Sequence, residues 1–173
     1  MGFQTTVNVF SGAGVVGEFY SDSPRRAESY ILDSDDATNN VFGRAFTKVS
    51  QGVAQVGGTG VFAGFLINPK ASVNYGILGD ALAPTLTLAN NVQAELCTWG
   101  TFFVLLPAAA AIGDVVLYDT TTGELSTISP GDTYPSGTLP TNAVVDYFTV
   151  SGAGLAVITA TDVPPVPLPT TPA

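Results

Sequence analysis

Short runs of Val, Thr, Phe, Tyr and Ile dominate this chain, and glycine or proline ends most of them. Such runs are typical of β-strands, and the alternation of hydroxyl and leucine side chains in 85–88 predicts a strand with one buried face. Asp114–Ile128 predicts a hairpin whose turn is Asp119–Gly123. The predicted strands are Thr5–Phe10, Val15–Tyr20, Ser29–Leu32, Arg44–Val49, Gly52–Val56, Val61–Ile67, Thr85–Leu88, Gln93–Thr98, Phe102–Leu106, Asp114–Tyr118, Leu125–Ile128, Val144–Val150 and Leu155–Thr161.

Helix signals are scarce, which decides the predicted fold class. No window keeps apolar residues at helical spacing over three turns without a glycine or proline, and Pro107–Ala111 offers at most one helical turn. Many short strands at close spacing predict an all-β protein, either an antiparallel β-barrel or a jelly-roll-like sandwich with long loops. We expect residues 1–162 to form a single β-rich domain.

Residues 163–173 differ from the rest because proline recurs through them. Proline lacks the amide donor that a sheet needs and favours the extended polyproline II conformation, so this segment is predicted to be an extended C-terminal tail. It is either a disordered end or an arm that lies along a neighbouring subunit. The arm interpretation makes Pro165 and Pro167 candidate interface residues.

The composition is acidic and poor in charge. The net charge is -9, charged residues make up 11% of the chain, and every basic residue precedes position 71. Phosphate binding requires the opposite charge, so nucleic acid is not expected as a partner. The longest apolar run, 101–116, contains Pro107, Gly113 and Asp114, so no membrane partner is expected either. A surface with so little charge suggests that another protein covers part of it.

The chain has no histidine and one cysteine, Cys97. These counts argue against Ser-His-Asp and Cys-His catalysis and against most zinc sites, so we predict a non-enzymatic protein without cofactors. Cys97 lies in an apolar stretch and is expected to be a buried thiol. Gly12-x-Gly14-x-x-Gly17 matches the dinucleotide-binding pattern, but no helix is predicted after it, so turns between strands are the expected role.

Acidic residues form two further patterns with possible chemistry. Asp33–Asn40 resembles half of a calcium-binding loop but lacks the glycine and the final glutamate, so a solvated loop is expected. Glycan cleavage needs only two carboxylates, which leaves a less favoured enzymatic alternative. The candidate carboxylates are Glu18, Glu28, Glu95 and Glu124. The lone tryptophan, Trp99, is expected in the core rather than in a sugar-binding cleft.

Pro24-Arg25-Arg26 places two guanidinium groups beside a rigid turn in an otherwise acidic chain. Arginine makes bidentate bonds to carboxylates and is enriched at protein interfaces. These three residues are therefore a candidate partner interface, with an ordinary exposed turn as the alternative.

Several motifs in this order resemble the structural cement proteins that decorate the capsids of tailed bacteriophages. They are Gly14–Tyr20, Ser23–Ala27, Phe62–Lys70, Leu82–Leu88, Ala109–Asp119, Gly123–Thr127 and Asn142–Phe148. The resemblance covers nearly the whole chain to about Thr161 but not the proline-rich tail. It implies a virion protein on the outer capsid surface that binds the major capsid protein, cements neighbouring capsomers, and forms a homo-oligomer such as a dimer or trimer. A tail, fibre or receptor-binding component of the virion is the alternative.

Overall fold

The computed structural model describes residues 14–68 and 87–162, and these residues form nine β-strands. Within them there is no α-helix, and the one helical element is a 3-10 turn at Ala37–Asn39. No helix in these two ranges is long and apolar enough to cross a membrane. The strands are β1 (Arg26–Leu32), β2 (Ala45–Ser50), β3 (Val53–Val56), β4 (Phe62–Ile67), β5 (Gln93–Leu106), β6 (Val115–Asp119), β7 (Leu125–Ile128), β8 (Thr138–Tyr147) and β9 (Gly154–Ala160).

Five strands close into a barrel. Their order is β1-β3-β2-β4-β5, and β5 pairs back with β1 to complete the ring. All pairs in the ring are antiparallel except β1 with β3, where Ile31 lies opposite Val53 in parallel register. The all-β prediction and the barrel alternative are therefore confirmed, and the parallel pair is a departure from a purely antiparallel arrangement. The other strands continue from β5 in the order β9-β8-β6-β7.

Strand β5 belongs to both parts of the molecule. Its first half pairs with β1 and β4, and its second half, from Gly100 to Leu106, pairs with β9. A β-bulge separates the two halves, because Arg26 pairs with Trp99 and Ala27 with Cys97, which leaves Thr98 without a partner in β1. A bulge adds one residue to a strand and so reverses which side chains face each side.

Two buried clusters lie on either side of β4. One includes residues from all five barrel strands and fills the barrel; its large members on the strands are Tyr30, Leu32, Phe46, Leu66 and Leu96. The other is enclosed by the second set of strands and the opposite face of β4; its members include Phe65, Phe102, Val104, Tyr118 and Ile158. The bulge is what allows β5 to contribute Leu96 to the first cluster and Phe102 to the second.

The hairpin at Asp114–Ile128 is confirmed, with β6 and β7 paired around the expected turn. The Asp119 carboxylate accepts hydrogen bonds from the amides of Thr121 and Thr122, both at 2.8 Å. Burial opposes ionisation of this carboxyl, but these hydrogen bonds outweigh it and lower its pKa. Gly123 ends the turn with a φ of 67° and accepts a bond from the Ala45 amide, which ties the hairpin to the barrel.

Several strand predictions need correction. Val15–Tyr20 is not a strand: it contains a turn, and only Phe19 forms an isolated bridge, to Phe102. The two predicted strands at 93–98 and 102–106 are one continuous strand, since Gly100 pairs through the junction. Strand β8 begins at Thr138 and ends at Tyr147, earlier than predicted at both ends, and accommodates Pro140 beside a register shift.

Pro107–Ala111, which could have made one helical turn, is instead a bend in which Ala110 bridges Val150. The predicted strand Thr5–Phe10 lies outside the described residues, as does the first half of Thr85–Leu88. In the described half, Thr87 bridges Val41.

Candidate functional site

The outward face of the second set of strands carries a group of aromatic rings. The segment before β1 runs beside the second half of β5, where the Tyr20 amide donates to the Thr101 carbonyl and the Phe103 amide to the Glu18 carbonyl, both at 2.9 Å. This pairing lays the Tyr20 ring against Phe103, with ring centroids 5.6 Å apart and nearly perpendicular planes. Aromatic pairs favour such an edge-to-face arrangement.

The end of β8 brings two more rings to the same face. Tyr147 lies opposite Val157 of β9, and its ring centroid is 4.8 Å from that of Tyr20. The Phe148 centroid is 6.1 Å from Tyr20. Tyr20, Tyr147 and Phe148 are 39%, 44% and 49% exposed, so the cluster has a buried base and an open apolar surface. We call Tyr20, Phe103, Tyr147 and Phe148 the aromatic patch.

Phe148 is held in an unusual backbone conformation. Its φ of 64° lies in the left-handed region, which costs an ordinary L-residue about 1–2 kcal/mol. Strain of this kind persists only where the surrounding structure imposes it, and it is concentrated at functional positions. This conformation holds the Phe148 ring at the protein surface, where half of the side chain is exposed and its burial contributes little to folding stability.

Leu105 extends the apolar surface along β5. It alternates with buried Val104 and Leu106 and is 59% exposed. Together with Val16, Phe42 and Leu125 it lines a small apolar cavity of about 100 Å³. A cavity of this size admits one aliphatic side chain of a partner. The outward face of β5 therefore combines an exposed apolar surface with a small pocket.

The structure separates the two arginines of the predicted interface. Pro24, Arg25 and Arg26 are all exposed, and we call them the arginine corner. Arg26 is engaged within the molecule: it forms an ion pair with Asp162 at 2.5 Å and donates from Nε to Thr98 Oγ1 at 3.0 Å. The ion pair ties the segment after β9 to the start of β1, and the bond to Thr98 ties β1 to β5. The other two predicted interface residues, Pro165 and Pro167, lie outside the described residues.

Arg25 lines a polar cleft of about 550 Å³. Its guanidinium carbon lies 4.3 Å from the centroid of the Phe19 ring, a cation–π contact. Three carboxylates, those of Glu18, Asp22 and Glu95, line the same cleft. Among the described residues the one ion pair within 4.0 Å is that of Arg26, so the Arg25 charge is available to a partner from this corner.

The cleft brings together two of the four candidate carboxylates. Glu95 accepts a hydrogen bond from Asn68 Nδ2 at 2.9 Å, and Glu18 accepts one from the Val15 amide at 3.1 Å. The other two lie elsewhere: Glu28 accepts from the Tyr30 hydroxyl at 2.8 Å, and Glu124 lines the small apolar cavity. Sequence reasoning named these residues but could not group them, since Glu18 and Glu95 meet only through the fold.

The expectation that Trp99 lies in the core is wrong. Trp99 is 39% exposed, although Cys97, two residues before it, is fully buried. In a regular strand residues two apart share a face, and the bulge at Thr98 breaks that relation. The bulge turns Trp99 outward beside Arg26, its partner in β1, so the exposed indole borders the arginine corner.

Cys97 is the buried thiol that the sequence predicts. It is fully inaccessible, and burial raises its pKa to about 11, although the nearby charges of Arg25 and Arg26 oppose this. The thiol donates a hydrogen bond to the Trp99 carbonyl at 3.2 Å. The neutral thiol is therefore the folded form at every physiological pH.

We expect the native protein to resist alkylation of Cys97 at pH 8 and to react fully once it is unfolded, since only the exposed thiolate is nucleophilic. Because the folded pKa is raised, the contribution of the buried thiol to stability is complete below about pH 8.5 and declines as pH rises towards 11. Mass spectrometry after timed iodoacetamide treatment measures the reaction. Fast modification of the folded protein would contradict the assignment.

The glycine pattern and the acidic loop form turns. Gly14 and Gly17 have φ values of 100° and 81°, and no helix follows them. In the acidic loop, Asp36 caps the 3-10 turn by accepting hydrogen bonds from the hydroxyl and amide of Thr38, which lower its pKa. Among residues 14–68 and 87–162, no group of three or more His, Cys, Asp or Glu side chains could hold a metal ion.

Comparison with known proteins identifies the family. The family model described as "Structural cement protein (E217 gp24/Pam3 gp6)" matches residues 3–161. The chain belongs to this family. Membership confirms the family, the structural role and the virion location that the sequence motifs predict, and it associates the protein with a phage capsid.

A solved structure supports the same fold for this cement-family chain. A chain from "The capsid of Myoviridae Phage XM1" aligns with a TM-score of 0.61 and 17% identity, covering 94% of this chain and 99% of that one. No curated protein matches the sequence. The family match leaves the aromatic patch and the Trp99 position unassigned, and sequence reasoning missed both because their residues come from separated segments.

Proposed function

We propose that this cement-family protein binds the outer surface of an assembled phage head, contacts the major capsid protein, and holds neighbouring capsomers together without catalysis. The observation that carries the proposal is the family match across residues 3–161. The exposed aromatic patch and a charged fraction of 11% support it physically, because such a surface favours burial against protein.

Binding stabilises the head by mass action. A protein that binds the assembled lattice but not separated subunits stabilises the lattice by about 2.7 kcal/mol per site at a hundredfold excess over Kd. Copies that bridge two capsomers gain further from multivalency. The decorated head should therefore resist heat and the internal pressure of packaged DNA better than the undecorated head.

We assign the capsid contact to the arginine corner together with Trp99. Arg25 presents a guanidinium without an ion pair in the described structure, and Trp99, which is paired with the adjacent Arg26, presents an exposed indole. Tryptophan and arginine are the residue types that most often dominate interface energy. Pro24 fixes the backbone before Arg25, so that the guanidinium is presented with little loss of conformational entropy on binding.

The cleft supports attachment rather than glycan cleavage. The Phe19 ring, which could stack on a sugar, is covered by Arg25. Glu95 is hydrogen-bonded to the Asn68 amide and lies in a polar cleft, whereas the general acid of a glycosidase needs an apolar setting. The double variant Glu18→Gln/Glu95→Gln should protect heads as well as the wild type does; loss of an activity on bacterial glycans in this variant would contradict the assignment.

The test uses assembled heads that lack the protein. Purified protein should co-sediment with them saturably, raise their disruption temperature, and give density over capsomer boundaries in electron cryo-microscopy. Arg25→Gln and Trp99→Ala should each weaken binding at least about tenfold, corresponding to 1.4 kcal/mol or more. Lys48→Gln removes an equal charge from another exposed position and should bind like the wild type.

Density confined to the phage tail, or heads whose heat and osmotic resistance is unchanged by saturating protein, would overturn the proposed function. Equal loss of affinity in Arg25→Gln and Lys48→Gln would show that net charge, rather than the arginine corner, controls binding.

A further inference from the structure

We propose that the proline-rich segment 163–173 of one copy docks on the aromatic patch of a second copy. The inference deepens the proposed function, on which it rests, by naming how adjacent copies on one head contact each other. It assigns a partner to the aromatic patch and to Pro165 and Pro167 together.

The chemistry of the two surfaces is complementary. Segment 163–173 has prolines at 164, 165, 167, 169 and 172 and no charged side chain. Segments of this composition favour polyproline II, and aromatic-lined surfaces recognise that conformation by stacking on proline rings. The rings of Tyr20, Tyr147 and Phe148 meet at tilted and perpendicular angles and are partly exposed, so ring faces and edges are open to a partner.

The tyrosine hydroxyls of the aromatic patch can bind the backbone of the proline-rich segment. Polyproline II makes no internal backbone hydrogen bonds, so its carbonyls need outside donors. Tyr20 and Tyr147 each carry a hydroxyl that can serve as that donor at an otherwise apolar surface. Tyrosine supplies this combination at low entropic cost, because only two side-chain torsions are fixed.

Charge favours a contact of this kind between copies. Each chain carries a net charge of -9, so close approach of two acidic surfaces is repulsive. An uncharged segment against an apolar patch brings two copies together without placing carboxylates opposite each other. The proline content also lowers the entropy lost when the segment becomes ordered.

The direction of the chain at the end of β9 favours docking of segment 163–173 on the aromatic patch of a second copy rather than on that of the same copy. Strand β9 passes Tyr147 at Val157 and continues away from it to Asp162, which Arg26 holds. Five residues of extended chain span roughly 17 Å, whereas eleven residues of polyproline II span about 34 Å. To reach the aromatic patch of its own copy, the segment would have to reverse direction at Pro164-Pro165, where proline restricts the backbone. It can reach the patch of a neighbouring copy without reversing direction.

The test measures self-association of the full chain by sedimentation velocity, without heads present. Phe148→Asn removes the ring while suiting the left-handed backbone, because asparagine tolerates positive φ, so folding is preserved. Val61→Asn is the matched control, since Val61 is 71% exposed before barrel strand β4, away from the patch. Pro165→Ser/Pro167→Ser changes the docking segment.

Phe148→Asn and Pro165→Ser/Pro167→Ser should each weaken self-association at least about tenfold, and Val61→Asn should leave it unchanged. A mixture of the first two variants should associate again, because one supplies an intact segment and the other an intact patch. A synthetic peptide of residues 161–173 should compete with association of the wild type.

A wild type that stays monomeric at about 1 mM, or a mixture that fails to associate, would overturn the inference. Head binding is measured separately on the same variants. If Phe148→Asn loses self-association yet still binds heads through the arginine corner, the inference and the proposed function are both supported. If wild-type protein self-associates but never binds heads, the proposed function fails while the contact between copies remains.

Discussion

Gly64→Ala should destabilise the protein by about 3 kcal/mol or more, although it adds only one methyl group. Gly64 lies in β4 with a φ of 132°, and an added Cβ would lie 2.7 Å from the carbonyl oxygen of Cys97. Both strands are fixed by their pairing, so the backbone cannot yield without loss of hydrogen bonds. Overpacking of about 1–3 kcal/mol adds to the backbone strain of about 1–2 kcal/mol.

Thermal unfolding measures this effect, with a fall in Tm of about 6–12 °C expected for a chain of this size. Gly52→Ala is the control, because Gly52 also has a positive φ, 74°, but nothing lies within 4 Å of its added Cβ. It should show the conformational strain alone, about 1–2 kcal/mol. Equal losses in the two variants would mean that the close approach of β4 to β5 is not important for stability.

Phe102→Ala should cost about 3–5 kcal/mol, the usual range for deletion of a buried phenylalanine ring. Phe102 is completely buried in the cluster under the second set of strands, with its ring centroid 5.1 Å from that of Phe65. Denaturant unfolding should show a lower midpoint with little change in slope, since the same surface is exposed.

Leu105→Ala, on the opposite face of the same strand, is the matched control for Phe102→Ala. Because Leu105 is mostly exposed, its truncation should cost less than about 1 kcal/mol. If the two variants lost similar stability, the assignment of inward and outward positions after the bulge at Thr98 would be wrong.

Local patterns predicted the fold best where the interactions are local. The hairpin of β6 and β7 follows from the Asp119–Gly123 turn, and β7 has the predicted bounds, because residues close in the chain determine its register. The closed barrel was one of two predicted alternatives. The β1–β5 pairing that closes it joins residues far apart in sequence, such as Arg26 and Trp99.

The candidate site was less predictable because it depends on tertiary geometry. Arg25 and Arg26 look equivalent in the sequence, and only the position of Asp162 makes one of them structural. The strand alternation places Trp99 in the core, and a single bulge reverses the side of the strand that it faces. The segments that carry Tyr20 and Tyr147 are separated in the sheet by β5 and β9, so no periodicity in the sequence indicates the aromatic patch.

The shared strand β5 has a consequence for the kinetics of folding. Its first half needs β1, which precedes it by more than sixty positions, and its second half needs β9, which follows it at a similar separation. Chains dominated by such non-local contacts pass a high entropic barrier and fold slowly. Neither part can complete its pairing before β5 is in place, so we expect one cooperative folding event rather than two. Chains in which β5 has not yet paired with β1 and β9 would expose unpaired strand edges, so we expect only fully folded copies to bind heads.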